Sequence, residues 1–139
     1  MSLLHSIKLD LSATYIKGIF MCSQTHLLAV WSTQDITFFG LSLKGDRIEP
    51  RVKFTHQKVC EEEDQVMQIS HVTQYNYYLV GTKLGHIKIL KLAQKAVHMH
   101  SFPKTVRAIA SIVQSPKDPS VFMAASLDGL IQVLSLDTF

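Results

Sequence analysis

The sequence is poor in the residues that usually announce chemistry. It has two cysteines in 139 residues, Cys22 and Cys60. Two such residues make neither a disulfide framework nor a zinc pattern, and they read as reduced thiols of an intracellular protein. There are only six glycines. They are too scattered to cradle a phosphate, and no P-loop, GxSxG or GxGxxG run occurs. Basic runs are missing as well. Fourteen Lys and Arg against 11 Asp and Glu leave a formal charge of +3. That surplus is too thin for the dense basic face that nucleic acid requires. No apolar run reaches about 18 residues, so no membrane-spanning helix is expected. The first twelve residues lack the basic, apolar and small-residue regions of a secretory signal. The expected location is cytoplasmic, with the nucleus open.

What is present is strand. The chain is 47% apolar and 18% charged, the balance of one globular domain over residues 1–139. Three stretches, ITFFGL at 36–41, IKILKL at 87–92 and IQVLSL at 131–136, are β-branched, aromatic or alternating. Alternation places one set of side chains on each face of a strand. Turn residues precede each: Gln34-Asp35, Leu84-Gly85 and Asp128-Gly129. No comparable stretch carries a helical stripe with caps. The fold class is all-β.

The three stretches also resemble one another. Their anchors Ile36, Ile87 and Ile131 are spaced by 51 and 44 residues. Before each anchor comes a second strand-like run (27–32, 78–82, 121–126), and before that a third (15–22, 65–72, 105–113). After the first two comes a fourth, at 47–54 and 96–102. Units of three or four short antiparallel strands in roughly 40 to 50 residues have the blade period of a β-propeller.

On these residues the chain resembles a degenerate WD-repeat propeller. The resemblance is carried by WSTQDITFFGL at 31–41, GTKLGHIKILKL at 81–92 and SLDGLIQVLSL at 126–136. The third unit keeps Ser126, Asp128, Gly129, Ile131 and Val133. The second keeps Thr82, Gly85, Ile87 and Ile89. The first keeps Ser32 and Ile36. Phe39, Leu90 and Leu134 stand where the family has Trp, and the Trp-Asp pair itself never occurs. The resemblance implies β-propeller-like blades at about 12–56, 65–102 and 105–139. It implies an incomplete propeller, since closed rings take about four to eight blades. The third unit reads one strand short, and residues 6–11 (SIKLDL) read as an extra N-terminal strand. That strand either clasps the last blade or belongs to a blade upstream. The whole reads either as a segment of a longer propeller or as three blades completed by another chain.

The candidate chemistry is thin. Asp-Gly between strands is a hairpin signal, so Asp128 and Gly129 read as a corner rather than a catalytic carboxylate. Ser126, Thr82 and Gly85 are the matching structural turn positions. Lacking the family's indole N–H, Ser126 and Thr82 need other partners if buried. His98 and His100 share a strand face, but no third ligand accompanies them, so no metal is expected. Cys22 and Cys60 show no nearby His and acid in sequence, so no nucleophile is expected. No cofactor is expected. His56 opens the longest polar link, 56–64 (HQKVCEEED), and PKDP at 116–119 reads as a rigid turn.

The expected function is a non-enzymatic protein–protein interaction scaffold that binds through rim loops. The expected contacts are Glu61, Glu62 and Glu63, with Lys83 and His86. The alternative is a polyanion binder, for nucleic acid or a microtubule surface, using Lys83, Lys88, Lys91, Lys95 and Lys104.

Overall fold

A computed structural model of the chain describes residues 6, 16–22, 27–44, 47–72, 77–93, 96–101 and 107–137. The surroundings of the side chains at 43, 44, 47, 49–57, 93 and 96–101 lie outside that description. So do residues 7–11 of the expected extra strand, Lys95, Lys104 and Phe139. Among the described residues eleven strands form and there is no helix.

The strands make three antiparallel sheets in sequence order. The first sheet contains β1 (Gly18–Cys22), β2 (Leu27–Trp31), β3 (Asp35–Lys44) and β4 (Arg47–Lys58). The second contains β5 (Val66–Val72), β6 (Tyr77–Thr82), β7 (Ile87–Ala93) and β8 (Ala96–Ser101). The third contains β9 (Ile109–Gln114), β10 (Val121–Ser126) and β11 (Ile131–Ser135). These are the three repeated units, each a blade-like meander. The sheets do not close on themselves, as an incomplete propeller requires. One boundary needs correction. The link expected from His56 starts later, because β4 runs on to Lys58 and pairs with Asp35 at its far end.

The second sheet is sandwiched between the other two. Along β6, side chains alternate between neighbours: Tyr78 and Val80 join a core with the first sheet, and Leu79 joins a core with the third. β7 does the same with Leu90 on one side and Ile87 and Ile89 on the other. Tyr78, Val80, Ile87, Ile89 and Leu90 are all fully buried. A strand buried on both faces must be apolar at nearly every position, which is why YYLVGT lacks polar alternation. In the first core, Phe38 meets Tyr78 edge to face, with ring centroids 4.9 Å apart. Such a pair contributes about 1 kcal/mol beyond its buried area.

The second core depends on a close approach. A Cβ at Gly81 would lie 2.6 Å from Ile109 Cγ2, so only glycine lets β9 come this near. Two of the three positions expected to replace the family's Trp pack between sheets. Leu90 is fully buried in the first core, Leu134 packs against the second, and Phe39 is buried.

Candidate functional site

The turns after β2, β6 and β10 gather on one rim. Two of them repeat bond for bond. Thr82 N donates to His86 O at 2.9 Å, and Ser126 N to Leu130 O at 2.9 Å. Gly85 N donates back to Thr82 O, and Gly129 N to Ser126 O. Gly85 and Gly129 close the turns with φ of 91° and 86°, a left-handed backbone that glycine adopts without steric cost. The first unit uses a tighter turn without glycine, in which Ser32 N donates to Asp35 O. Asp35 is thus the first residue of β3, not only a turn residue.

The buried hydroxyls find their partners inside these turns. Thr82 Oγ1 accepts from His86 N at 3.0 Å. Ser126 Oγ donates to the Asp128 carboxylate and approaches Leu130 O at 3.3 Å. That Ser126 hydroxyl bond, first among the causes, holds the Asp128 carboxyl below its ordinary range. Asp128 is therefore a turn acceptor, bonded to its own hairpin. The 115–120 turn is built the same way. Asp118 accepts from Ser120 N and Ser120 Oγ, and its pKa is lowered chiefly by that hydroxyl.

The acidic run is not uniformly solvated. Glu61, Glu62 and Glu63 are exposed, but Val59, Cys60 and Asp64 are buried. Asp64 N donates to Glu61 O, closing a turn. Asp64 Oδ1 then accepts from Gln65 N at 2.8 Å and from Leu84 N at 2.9 Å. Asp64 is thus a clip between the 61–64 turn and the 82–86 turn. It brings the expected contact residues Glu61, Glu62 and Glu63 beside the turn that carries Lys83 and His86. Sequence reasoning missed it because it reads as one acid among four. Burial, with the Asp64 carboxylate beside it, pushes the Cys60 thiol up to about 11. Cys60 is a neutral packing residue at ordinary pH.

Next to these turns lies a groove of about 720 Å³. Lys17 precedes β1, Lys83 sits in the β6–β7 turn, and Arg107 precedes β9. All three line the groove, with Asp128 as the one carboxylate among the described residues that line it. Met67, Leu84 and Leu127 supply apolar lining. Lys17 Nζ donates to Gln65 Oε1 at 2.8 Å, which aims the ammonium along the groove and leaves it further N–H donors. One cation comes from a segment adjoining each sheet. Only Lys83 of the three was expected as a contact, and His86 lies outside the groove lining.

Of the lysines of the polyanion reading, Lys95 and Lys104 lie outside the described residues, and two of the others are engaged within the chain. Lys88 Nζ donates to Val59 O, and Lys91 Nζ lies 4.9 Å from the centre of the Tyr77 ring. In sequence no His and acid pattern stands near either cysteine, but the fold brings a histidine to Cys22. His71 Nδ1 lies 3.2 Å from Cys22 Sγ. The two residues are 49 positions apart and meet only because the first two sheets stack. Cys22 is 4% exposed, so the pair has little access for a substrate. Among the described residues, no group of three or more His, Cys, Asp and Glu could hold a metal ion. Among them, too, no helix is long and apolar enough to cross a membrane. Neither a protein-family model nor a curated protein matches the chain.

Proposed function

We propose that the chain is a non-enzymatic interaction module of the WD-repeat propeller type, which holds an acidic segment of a partner protein in the rim groove. One observation carries this reading: three cations from segments adjoining three different sheets, Lys17, Lys83 and Arg107, line a single groove with apolar lining. Positive charge over apolar surface suits a segment in which Asp or Glu alternates with Leu or Phe. Mechanism here is positioning. The strands and their bonded turns fix the cations before binding, which lowers the entropy of ordering them. The exposed Glu61, Glu62 and Glu63 flank the site and would reject a second acidic chain out of register.

The test is fluorescence anisotropy of a labelled Asp/Glu–Leu peptide against its Lys–Leu counterpart. The acidic peptide binds, and its affinity falls as salt rises. Lys83→Glu combined with Arg107→Glu weakens it by at least about tenfold, since each rim charge contributes roughly 1 kcal/mol. Equal binding of both peptides, or indifference to the double substitution, would overturn the reading.

A further inference from the structure

The groove is framed by one backbone device used twice. Lys83 N donates to Gln65 O at 2.9 Å, and Leu127 N donates to Ala108 O at 2.9 Å. Lys83 follows Thr82 at the end of β6, as Leu127 follows Ser126 at the end of β10. Gln65 and Ala108 stand immediately before β5 and β9. All four of these bonded residues line the groove. The backbone repeats, but the side chains do not. Lys83 is matched by Leu127, and Leu84 by Asp128. Where the second sheet offers a cation, the third offers an apolar group. Where the second offers an apolar group, the third offers a carboxylate.

Charge is therefore divided unequally along the groove. On the second-sheet side, Lys17 Nζ donates to Gln65, whose own carbonyl accepts from Lys83 N. That side holds two cations and, among the described lining residues, no acid. On the third-sheet side, Arg107 precedes Ala108 and its charge acts on Asp128. That side is mixed. Asp128 is exposed, and its carboxyl is held below the ordinary range by the Ser126 hydroxyl first and by Arg107 last. Both bonds that it accepts inside its turn, from Ser126 Oγ and Leu130 N, fall on Oδ1. A carboxylate accepts through two oxygens, so Oδ2 keeps its capacity for a ligand. A segment made only of acids and leucines would set like charge against that oxygen.

We propose that the groove takes an acidic segment carrying one basic residue near one end, with its acids at Lys17 and Lys83 and its Lys or Arg at Asp128, so that the segment lies in one direction. This inference rests on the groove reading above and adds the chemistry of the second end. Asp128 then has two roles through two oxygens. Oδ1 closes the hairpin, and Oδ2 selects the occupant. Selection works partly by repulsion, because a carboxylate brought to Asp128 is disfavoured.

The test is fluorescence anisotropy at low salt, where exposed pairs are least screened. The probes are a labelled Asp/Glu–Leu peptide and a set of it in which one acid, moved stepwise along the chain, becomes Lys or neutral Gln. In the parent protein, Lys near one end binds about three- to fivefold tighter than Gln there, the range of an exposed ion pair. At the other positions Lys binds more weakly than Gln. Asp128→Asn keeps the turn, since Asn-Gly favours the same hairpin and the amide oxygen still accepts. This variant loses the preference for Lys and binds the all-acidic peptide more tightly than the parent does. Those two changes have opposite signs, which damage to the turn alone would not produce. Weaker binding of Lys than Gln at every position overturns the proposal and leaves the groove reading standing. So does an Asp128→Asn variant that lowers the affinity of all peptides alike. An all-acidic peptide that does not bind, or that ignores Lys83→Glu with Arg107→Glu, overturns both.

Discussion

The second and third sheets are built from the same pattern and live in different surroundings. β7 reads IKILKLA and β11 reads IQVLS. Ile87 and Ile89 are fully buried, whereas Ile131 and Val133 are about two-thirds exposed. The strand pattern is the same because both sheets need the same pleat. The burial differs because the second sheet has a neighbour on each face. Burial here is therefore a property of the stack. Alternation in sequence says which residues share a face, and only the stacking says whether that face is covered.

The sharpest way to break the comparison is to truncate equivalent positions. Ile89→Ala empties a site between two packed sheets and should cost about 2 to 5 kcal/mol. Val133→Ala, measured in dilute protein, should change stability by no more than about 0.5 kcal/mol, as for other exposed sites. Urea unfolding of both variants checks this through the midpoint shift at constant slope. Equal losses at the two positions would mean that the third sheet's outer face is covered within the chain.

Close approach gives a smaller contrast. Gly81 faces Ile109, and an added Cβ would also lie 2.8 Å from Ile109 Cβ. Gly81→Val should cost about 1 to 3 kcal/mol by forcing β6 and β9 apart. Ala125 holds the equivalent place in β10 and pairs with Ile131. Ala125→Val should be neutral within about 0.5 kcal/mol, because no third neighbour presses on it. Thermal melts of the two variants read this difference directly.

The repeat and its turns were legible because they are local. Asp128-Gly129 specifies its hairpin from adjacent residues, and the hydroxyl at Thr82 or Ser126 bonds within four positions. The spacing of Ile36, Ile87 and Ile131 located all three sheets. The groove was not legible. Lys17 and Arg107 stand 90 positions apart in the sequence and meet only through the stacking of sheets. The same holds for Cys22 and His71. Asp64 was hidden differently. Its neighbours Glu61, Glu62 and Glu63 are solvated, and a shorter side chain at the end of an acidic run was the one signal that it folds back. The contacts of Lys88 with Val59 O and of Lys91 with the Tyr77 ring were hidden as the groove was, since Lys88 and Val59 stand 29 positions apart.

The two cores also differ in titratable groups, which gives the smallest effect. The first core buries the Cys60 thiol, whereas none of the fully buried members of the second core titrates. Burial, aided by Asp64, raises Cys60 from 9.0 to about 11. The folded state therefore holds the thiol proton more tightly than the unfolded chain does. The resulting stabilisation is fully present below pH 9.0 and is lost as pH rises toward about 11. Between those limits, Cys60→Ala should flatten the fall of stability with pH while leaving the other ionisations in place. Comparing the melting temperatures of the two proteins across that window isolates the thiol. Parallel curves would show that Cys60 ionises as freely in the folded chain as in the unfolded one, and that the first core is wetter than its packing indicates.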